Sequence, residues 1–309
     1  MLGVSLKNIR LSNPTVLASG ILGVAGETLV RAAKNGAGAI TTKSIGIHPR
    51  EGHPNPCILT HKHGLINAVG LCHPAIEDSL KEIEYILQNS PSPLIVSIHG
   101  KDAEEFAQAA RMITQPASVR PAAVEVNISC PNVQDEFGKP FASDPILTKK
   151  IISAVKNTSR APVIAKLSPN VPNIKEIARA AVNGGADMIT AINTLGPGMI
   201  INLKAAKPIL SNKSGGISGP CIKPIAVRCV YDIYEETKGK IPIIGTGGIT
   251  TGEDAIEIIM AGASAVGIGS GIYYRGIGIF KKVCREMEGF MIKNGYRDLD
   301  EIRGIAHEK

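Results

Sequence analysis

Val124-Glu125-Val126-Asn127-Ile128-Ser129-Cys130-Pro131-Asn132 reads as a short strand that stops at a cysteine. Asn127 and Ser129 alternate with Val126 and Ile128, a period of two that gives the strand two distinct faces. Glu125 interrupts the apolar residues. Pro131 removes a backbone donor and turns the chain out of the sheet. Cys130 therefore falls at the carboxyl end of a strand, where a loop begins. In parallel α/β folds that edge carries the chemistry. Taken alone, Cys130 fits equally a buried thiol that behaves as a small apolar residue.

The same pattern recurs outward in both directions. Strands are predicted to end near Ser19, Lys43, Ile98, Ser129, Leu167, Ile192, Gly245 and Ile268. Helical spacing separates them, as in Ile76, Leu80, Ile83 and Leu87, with starts marked by Asp102, Asp144-Pro145 and Asn173. Eight strands with helical crossovers argue for an α/β (β/α)₈ TIM barrel; a doubly wound sheet is the alternative. Residues 4–13, turning at Lys7-Asn8, form a short hairpin ahead of the barrel. Residues 45–73 are a long connection, and residues 195–219 an insertion after the sixth strand. No break in composition marks a second domain, so residues 1–309 read as one.

The 309 residues are 44% hydrophobic and 20% charged, enough to bury a large core. Aromatic residues make up 4% and Trp is absent, which argues against a base-stacking platform. The net charge of +7 is spread out, the densest pairs being Lys149-Lys150 and Lys281-Lys282. That suits a solvated basic surface better than a nucleic-acid stripe. No apolar run nears the roughly 18 residues that span a bilayer. The first residues show no signal or transit pattern. The 6 cysteines contain no C-x-x-C pair, so they read as free thiols in a reducing cytoplasm rather than as zinc or iron–sulfur ligands. His61 and His63 lack a third nearby ligand and read as exposed.

A barrel would bring Ser19, Lys43, Ser97, Asn127, Cys130, Lys166, Asn193, Thr194, Gly247, Gly248, Gly269 and Ser270 to one face. The glycine-rich loops Gly245-Thr246-Gly247-Gly248 and Gly267-Ile268-Gly269-Ser270-Gly271 follow strands seven and eight, where barrels bind phosphate through backbone N–H groups. A phosphorylated substrate or flavin mononucleotide (FMN) fits. Lys166, inside an apolar strand, reads either as a structural ion pair or as a fixed cation beside an anionic group. Asn67, Asn127 and Asn193 each offer an amide donor and acceptor. Their convergence suits a planar ligand such as a pyrimidine. Cys130 would need surroundings that favour thiolate to act as a base.

Eight segments, in order, resemble the dihydroorotate dehydrogenase family along essentially the whole chain. They are Leu17-Ala18-Ser19-Gly20, Thr42-Lys43-Ser44, Asn67-Ala68-Val69-Gly70-Leu71, Asn127-Ile128-Ser129-Cys130-Pro131-Asn132, Lys166-Leu167-Ser168-Pro169, Ile192-Asn193-Thr194, Gly215-Gly216-Ile217-Ser218-Gly219-Pro220 and Gly247-Gly248-Ile249. The resemblance implies an FMN barrel that oxidises dihydroorotate to orotate in pyrimidine synthesis. It makes Cys130 the base that takes the C5 proton while hydride leaves C6 for flavin N5. Lys43 and Asn67, Ala68, Val69, Gly70 and Leu71 become substrate contacts, with Lys43 also at the flavin. Asn127, Asn193 and Thr194 hold the pyrimidine. Lys166 lies beside the flavin ring. Ser19, Ser44, Ser97, Asn127, Ile192, Gly219, Gly247, Gly248, Gly269 and Ser270 become cofactor contacts, and residues 133–143 a closing loop.

The Gly-Gly-Ile-Ser-Gly-Pro segment is most similar to the type-B, NAD-linked branch. That implies a homodimer joined by an electron-transfer subunit carrying FAD and a [2Fe–2S] cluster, forming a heterotetramer. Departures are Cys57 where arginine is common, Cys72-His73 in place of Gln-Asn, Ser97 where asparagine often meets the flavin, and Phe141-Ala142-Ser143 in place of Phe-Gly-Thr. They bear on the electron acceptor and the loop more than on the half-reaction. Two alternatives stand beside this reading: a homodimer linked to fumarate or another acceptor, and a non-catalytic flavin- or phosphate-binding barrel.

Overall fold

The structure is a computed structural model that describes residues 1–128 and 143–308. The chain opens with the hairpin β1 (Val4–Leu6) and β2 (Ile9–Leu11), then β3 (Thr15–Leu17), α1 (Gly26–Lys34) and β4 (Ala39–Thr41). Next come β5 (Ile58–His61), β6 (Gly64–Asn67), α2 (Ile76–Asn89), β7 (Leu94–Ile98), α3 (Ala103–Thr114) and β8 (Ala123–Asn127). They are followed by α4 (Pro145–Thr158), β9 (Val163–Leu167), α5 (Ile174–Asn183) and β10 (Met188–Ala191). Four short strands come next: β11 (Leu195–Gly198), β12 (Ile201–Asn202), β13 (Lys207–Pro208) and β14 (Gly215–Ser218). The chain closes with α6 (Lys223–Thr237), β15 (Ile243–Thr246), α7 (Gly252–Met260), β16 (Ala265–Ile268), α8 (Gly271–Arg275) and α9 (Ile279–Asn294).

Eight parallel strands close into a barrel in the order β10-β15-β16-β3-β4-β7-β8-β9. The expected (β/α)₈ barrel is the one observed, and β8 is its fourth strand in chain order. Helix starts follow local chemistry. Asp102 accepts from the Glu105 amide at 2.8 Å, Asp144 from Ile146 at 2.7 Å, and Asn173 from Lys175 at 3.1 Å.

The barrel interior is layered by the two-residue period of its strands. Val16, Ala39, Ile95, Ala123, Ile164, Met188, Ile244 and Ala265, one from each strand, form an apolar floor. Leu6, Ile9 and Leu11 of the opening hairpin pack beneath that floor and close the amino end. Two residues further along, the side chains turn polar: Thr41, Ser97, Glu125, Lys166, Thr190 and Thr246. Apolar burial at one end and polar groups at the other leave the carboxyl end as the place where a ligand can be bound.

Two connections hold more structure than their sequences suggest. Residues 45–73 contain the antiparallel hairpin β5–β6, and residues 195–219 contain β11 to β14. These join as a second sheet, β11-β14-β6-β5, in which Asn67 pairs with Gly216. The short α8 is separated from α9 at Gly276, whose φ is 71°.

Candidate active site

Glu125 sits in β8 with its carboxylate inside the barrel, 3% exposed, and Lys166 of β9 lies 3.6 Å away at 6% exposure. A buried charge requires such a partner. The same carboxylate accepts from Ser97 Oγ at 3.0 Å and from Thr190 Oγ1 at 3.0 Å. Lys166 is thus held by an ion pair, one of the two readings its sequence position allows, while lining the same narrow cleft as Ala18, Ser19, Glu125, Thr190, Thr246 and Gly267.

A directed chain of hydrogen bonds rises from this carboxylate to the mouth. Ser97 gives its proton to Glu125, so Ser97 Oγ accepts from Ser44 Oγ at 3.0 Å. Ser44 in turn accepts from Asn127 Nδ2 at 2.9 Å, and Asn127 Oδ1 accepts from Asn193 Nδ2 at 3.1 Å. Asn193 Oδ1 takes the backbone N–H of Thr194 at 2.8 Å. Five of the expected site residues therefore form one network, drawn from four different strand ends. Such a network fixes each amide's orientation, because every group has only one consistent role.

The second sheet forms one wall of the mouth. Asn67 Nδ2 donates to the Gly216 carbonyl at 3.4 Å. A Cβ on Gly216 would lie 2.2 Å from Thr194 Oγ1, so only glycine lets this strand reach the rim. Gly70 and Leu71 both have positive φ, 80° and 55°. Ala68 and Val69 are tied outward by their backbones, Ala68 N–H to Cys57 at 2.8 Å and Val69 C=O from His53 at 3.0 Å. Lys43 is half-buried beyond β4. Burial pulls its ammonium below the usual lysine value, and Cys72 and Cys57 act in the opposite sense. A poorly solvated ammonium at the rim is suited to an anionic ligand.

The glycine loops divide the phosphate question. The start of α7 is occupied by its own chain: Asp254 accepts from the Thr250 and Thr251 amides at 2.9 Å each, and Glu286 takes the Gly252 amide at 2.7 Å. Those three amides are therefore already engaged within the chain. Gly247 and Gly248 have φ of 140° and 75°, and a Cβ on Gly248 would meet the Gly219 carbonyl at 3.0 Å. A Cβ on Gly269 would touch only Ala18, at 3.5 Å, so the space before it is open. Ser270 precedes α8, whose Ile272 and Tyr273 amides donate to the Gly269 and Ser270 carbonyls at 3.0 Å each. Ile192 closes this side, its amide bonded to the Thr246 carbonyl at 2.8 Å. Thr246 Oγ1 is buried with no hydrogen-bond partner among the described residues. Open space before Gly269, an unsatisfied hydroxyl at Thr246 and the fixed Lys166 together fit a cofactor of the flavin mononucleotide kind.

Cys130 and nearly all of the 133–143 loop lie outside the described residues. Glu125 and Thr190 were not expected at the site; a lone acid in an apolar strand was the available signal for Glu125. His73 and His99, buried at the rim, were also missed as a pair.

The sequence model of the family described as dihydroorotate dehydrogenase matches residues 1–291. A protein of Methanocaldococcus jannaschii named dihydroorotate dehydrogenase B (NAD(+)), catalytic subunit, is 49% identical over 311 residues, covering 100% of this chain and 99% of its own. The protein of the same name from Methanothermobacter thermautotrophicus is 44% identical over 308 residues, with coverages of 100% and 99%. The crystal structure of DHODH from Eimeria tenella in complex with ferulenol superposes with a TM-score of 0.86 at 23% identity. That match covers 100% of this chain and 89% of that one, and shows the shared barrel fold. The chain belongs to the dihydroorotate dehydrogenase family.

Proposed function

We propose that this chain is the FMN-binding catalytic subunit of an NAD-linked dihydroorotate dehydrogenase, oxidising dihydroorotate to orotate in pyrimidine synthesis. The observation that carries the reading is the oriented network from Glu125 through Ser97, Ser44 and Asn127 to Asn193, which ends where a pyrimidine would lie. Full-length likeness to proteins named as type-B catalytic subunits supports the NAD-linked branch.

Bound FMN would supply the hydride acceptor. Ser19, Ser44, Ser97, Lys166, Ile192, Gly219, Gly247, Gly248, Gly269 and Ser270 would hold it, with Lys166 placing positive charge beside its ring. Asn67, Asn127, Asn193 and Thr194 present amide and hydroxyl groups to the N–H and C=O edges of the substrate, and Lys43 its carboxylate. Cys130 follows Asn127 by three positions and, as thiolate, takes the proton from C5. The C6 hydrogen leaves as hydride, so one hydride (two electrons and a proton) and one further proton, taken by Cys130, depart as the C5–C6 double bond forms.

The electrons would then pass to a partner subunit carrying FAD and a [2Fe–2S] cluster, and two copies of each chain would make the assembly. Among the described residues no helix is long and apolar enough to cross a membrane; a cytoplasmic site of action is part of the proposal. Purified with and without that partner, the chain should reduce NAD only in its presence. Rapid turnover with fumarate by the lone chain would sink the NAD-linked assignment.

A further inference from the structure

The rim holds one buried pair that this reaction does not use. His73 and His99 are 3% and 4% exposed, and their Nε2 atoms lie 2.7 Å apart. His73 Nδ1 lies 2.5 Å from the Pro74 carbonyl oxygen. A carbonyl only accepts, so His73 Nδ1 carries a hydrogen. In the neutral ring Nε2 is then an acceptor, and it receives the Gly46 N–H at 3.3 Å. His99 Nε2 must therefore carry a hydrogen and donate to His73. Only this combination of neutral tautomers gives every donor an acceptor. The charged groups facing His73 are Arg50 and Lys43, and Arg50 also acts on His99; all oppose a further proton, as does burial.

The pair sits where three segments of the mouth meet. Gly46 follows Lys43 by three residues, and the backbone between them lies along β7: the Ile45 amide donates to Ser97 at 2.9 Å, and the His99 amide to Ile45 at 3.0 Å. His73 follows Leu71 by two residues and exchanges both backbone hydrogen bonds with Arg50, at 2.9 and 3.0 Å. A Cβ on Gly46 would lie 2.6 Å from His99 Nε2 and 3.3 Å from His73 Nε2, so the rings close directly onto the backbone.

We propose that the His73–His99 pair is a positioning element of the substrate wall, clamping Gly46 so that Lys43 is held in fixed relation to residues 67–71. The proposal rests on the dihydroorotate reading of that wall. The pair touches no reacting atom, and its action is the same before and during reaction. Its loss should therefore raise KM and leave kcat in place.

The test uses FMN-loaded protein, with orotate binding read from the flavin absorbance and steady-state kinetics run beside it. His99→Leu removes the donor, whereas His99→Gln keeps an amide that can reach His73. His99→Leu should raise both the orotate Kd and the dihydroorotate KM by about fivefold, the loss of one buried hydrogen bond, with kcat within about twofold. His99→Gln should restore both. Nitrogen-resolved NMR of the imidazoles should show His73 protonated on Nδ1 and His99 on Nε2. Should His99→Leu fail to fold, His99→Asn, whose amide is too short to reach, should give the same KM rise. Wild-type affinity and KM in the folded His99→Leu or His99→Asn protein would overturn this proposal alone, as would the opposite tautomers. A wild-type flavin that ignores orotate would overturn it together with the dihydroorotate reading.

Discussion

Glu125 and Lys166 face each other across adjacent barrel strands at 3.6 Å, and the hydroxyls of Ser97 and Thr190 complete the carboxylate's shell. Removing one member of such a pair leaves a buried charge uncompensated. Lys166→Leu should therefore cost about 3–5 kcal/mol in urea unfolding of the flavin-free protein. Glu125→Leu combined with it should cost less than the sum of the singles. A penalty below about 1 kcal/mol for Lys166→Leu would mean that the pair is well hydrated.

Asn193 is the last side chain of the rising network. Asn193→Ala frees Asn127 Oδ1 and the Thr194 amide together. Orotate affinity should fall about tenfold, from one to two lost neutral hydrogen bonds, with FMN content unchanged. Titration of the flavin spectrum with orotate measures it.

The capped end of α7 and the open space before Gly269 make opposite predictions. Thr251→Ala removes the hydroxyl that accepts from the Asp254 amide, and should lower stability by about 1 kcal/mol without changing FMN content. Gly269→Val places a side chain in the open space beside Ala18 and should lower FMN content while sparing stability. Flavin-to-protein absorbance ratios after purification distinguish the two.

The eight-strand frame was legible because each barrel strand is bounded locally: apolar residues stop at Lys43, Asn127, Leu167 or a glycine, and Asp102, Asp144 and Asn173 announce the next helix. The second sheet was not, because its strands exist only through distant partners. Asn67 pairs with Gly216, 149 positions away, and neither segment alternates apolar and polar residues. Lys43, Asn127, Asn193 and the glycine loops could be placed by counting strand ends. Glu125 stands out only as a lone acid in an apolar strand, and Thr190 and His99 carry no local signal, since their roles come from distant neighbours. Ser97 was expected at the flavin, and its hydroxyl is engaged by Ser44 and Glu125.

The histidine pair gives the fold a sensitivity to acid. Burial first, then His73 and Arg50, push the His99 imidazole down from 6.5 to about 3. The unfolded chain takes up this proton below pH 6.5 and the folded chain does not. Stability should therefore fall as pH drops from about 6.5 towards 3, by roughly 1.4 kcal/mol per pH unit for this residue, and be flat above. His99→Gln should remove that share of the slope. Urea midpoints across the range, wild type against variant, provide the measurement.

The most direct measurement of the central claim is the visible spectrum of the FMN-loaded protein when dihydroorotate is added without oxygen. The account predicts loss of the oxidised flavin absorbance and release of orotate in equal amount, with Cys130→Ser keeping its flavin and reacting far more slowly near neutral pH. A flavin that stays oxidised with dihydroorotate present, in protein that holds FMN, would contradict it.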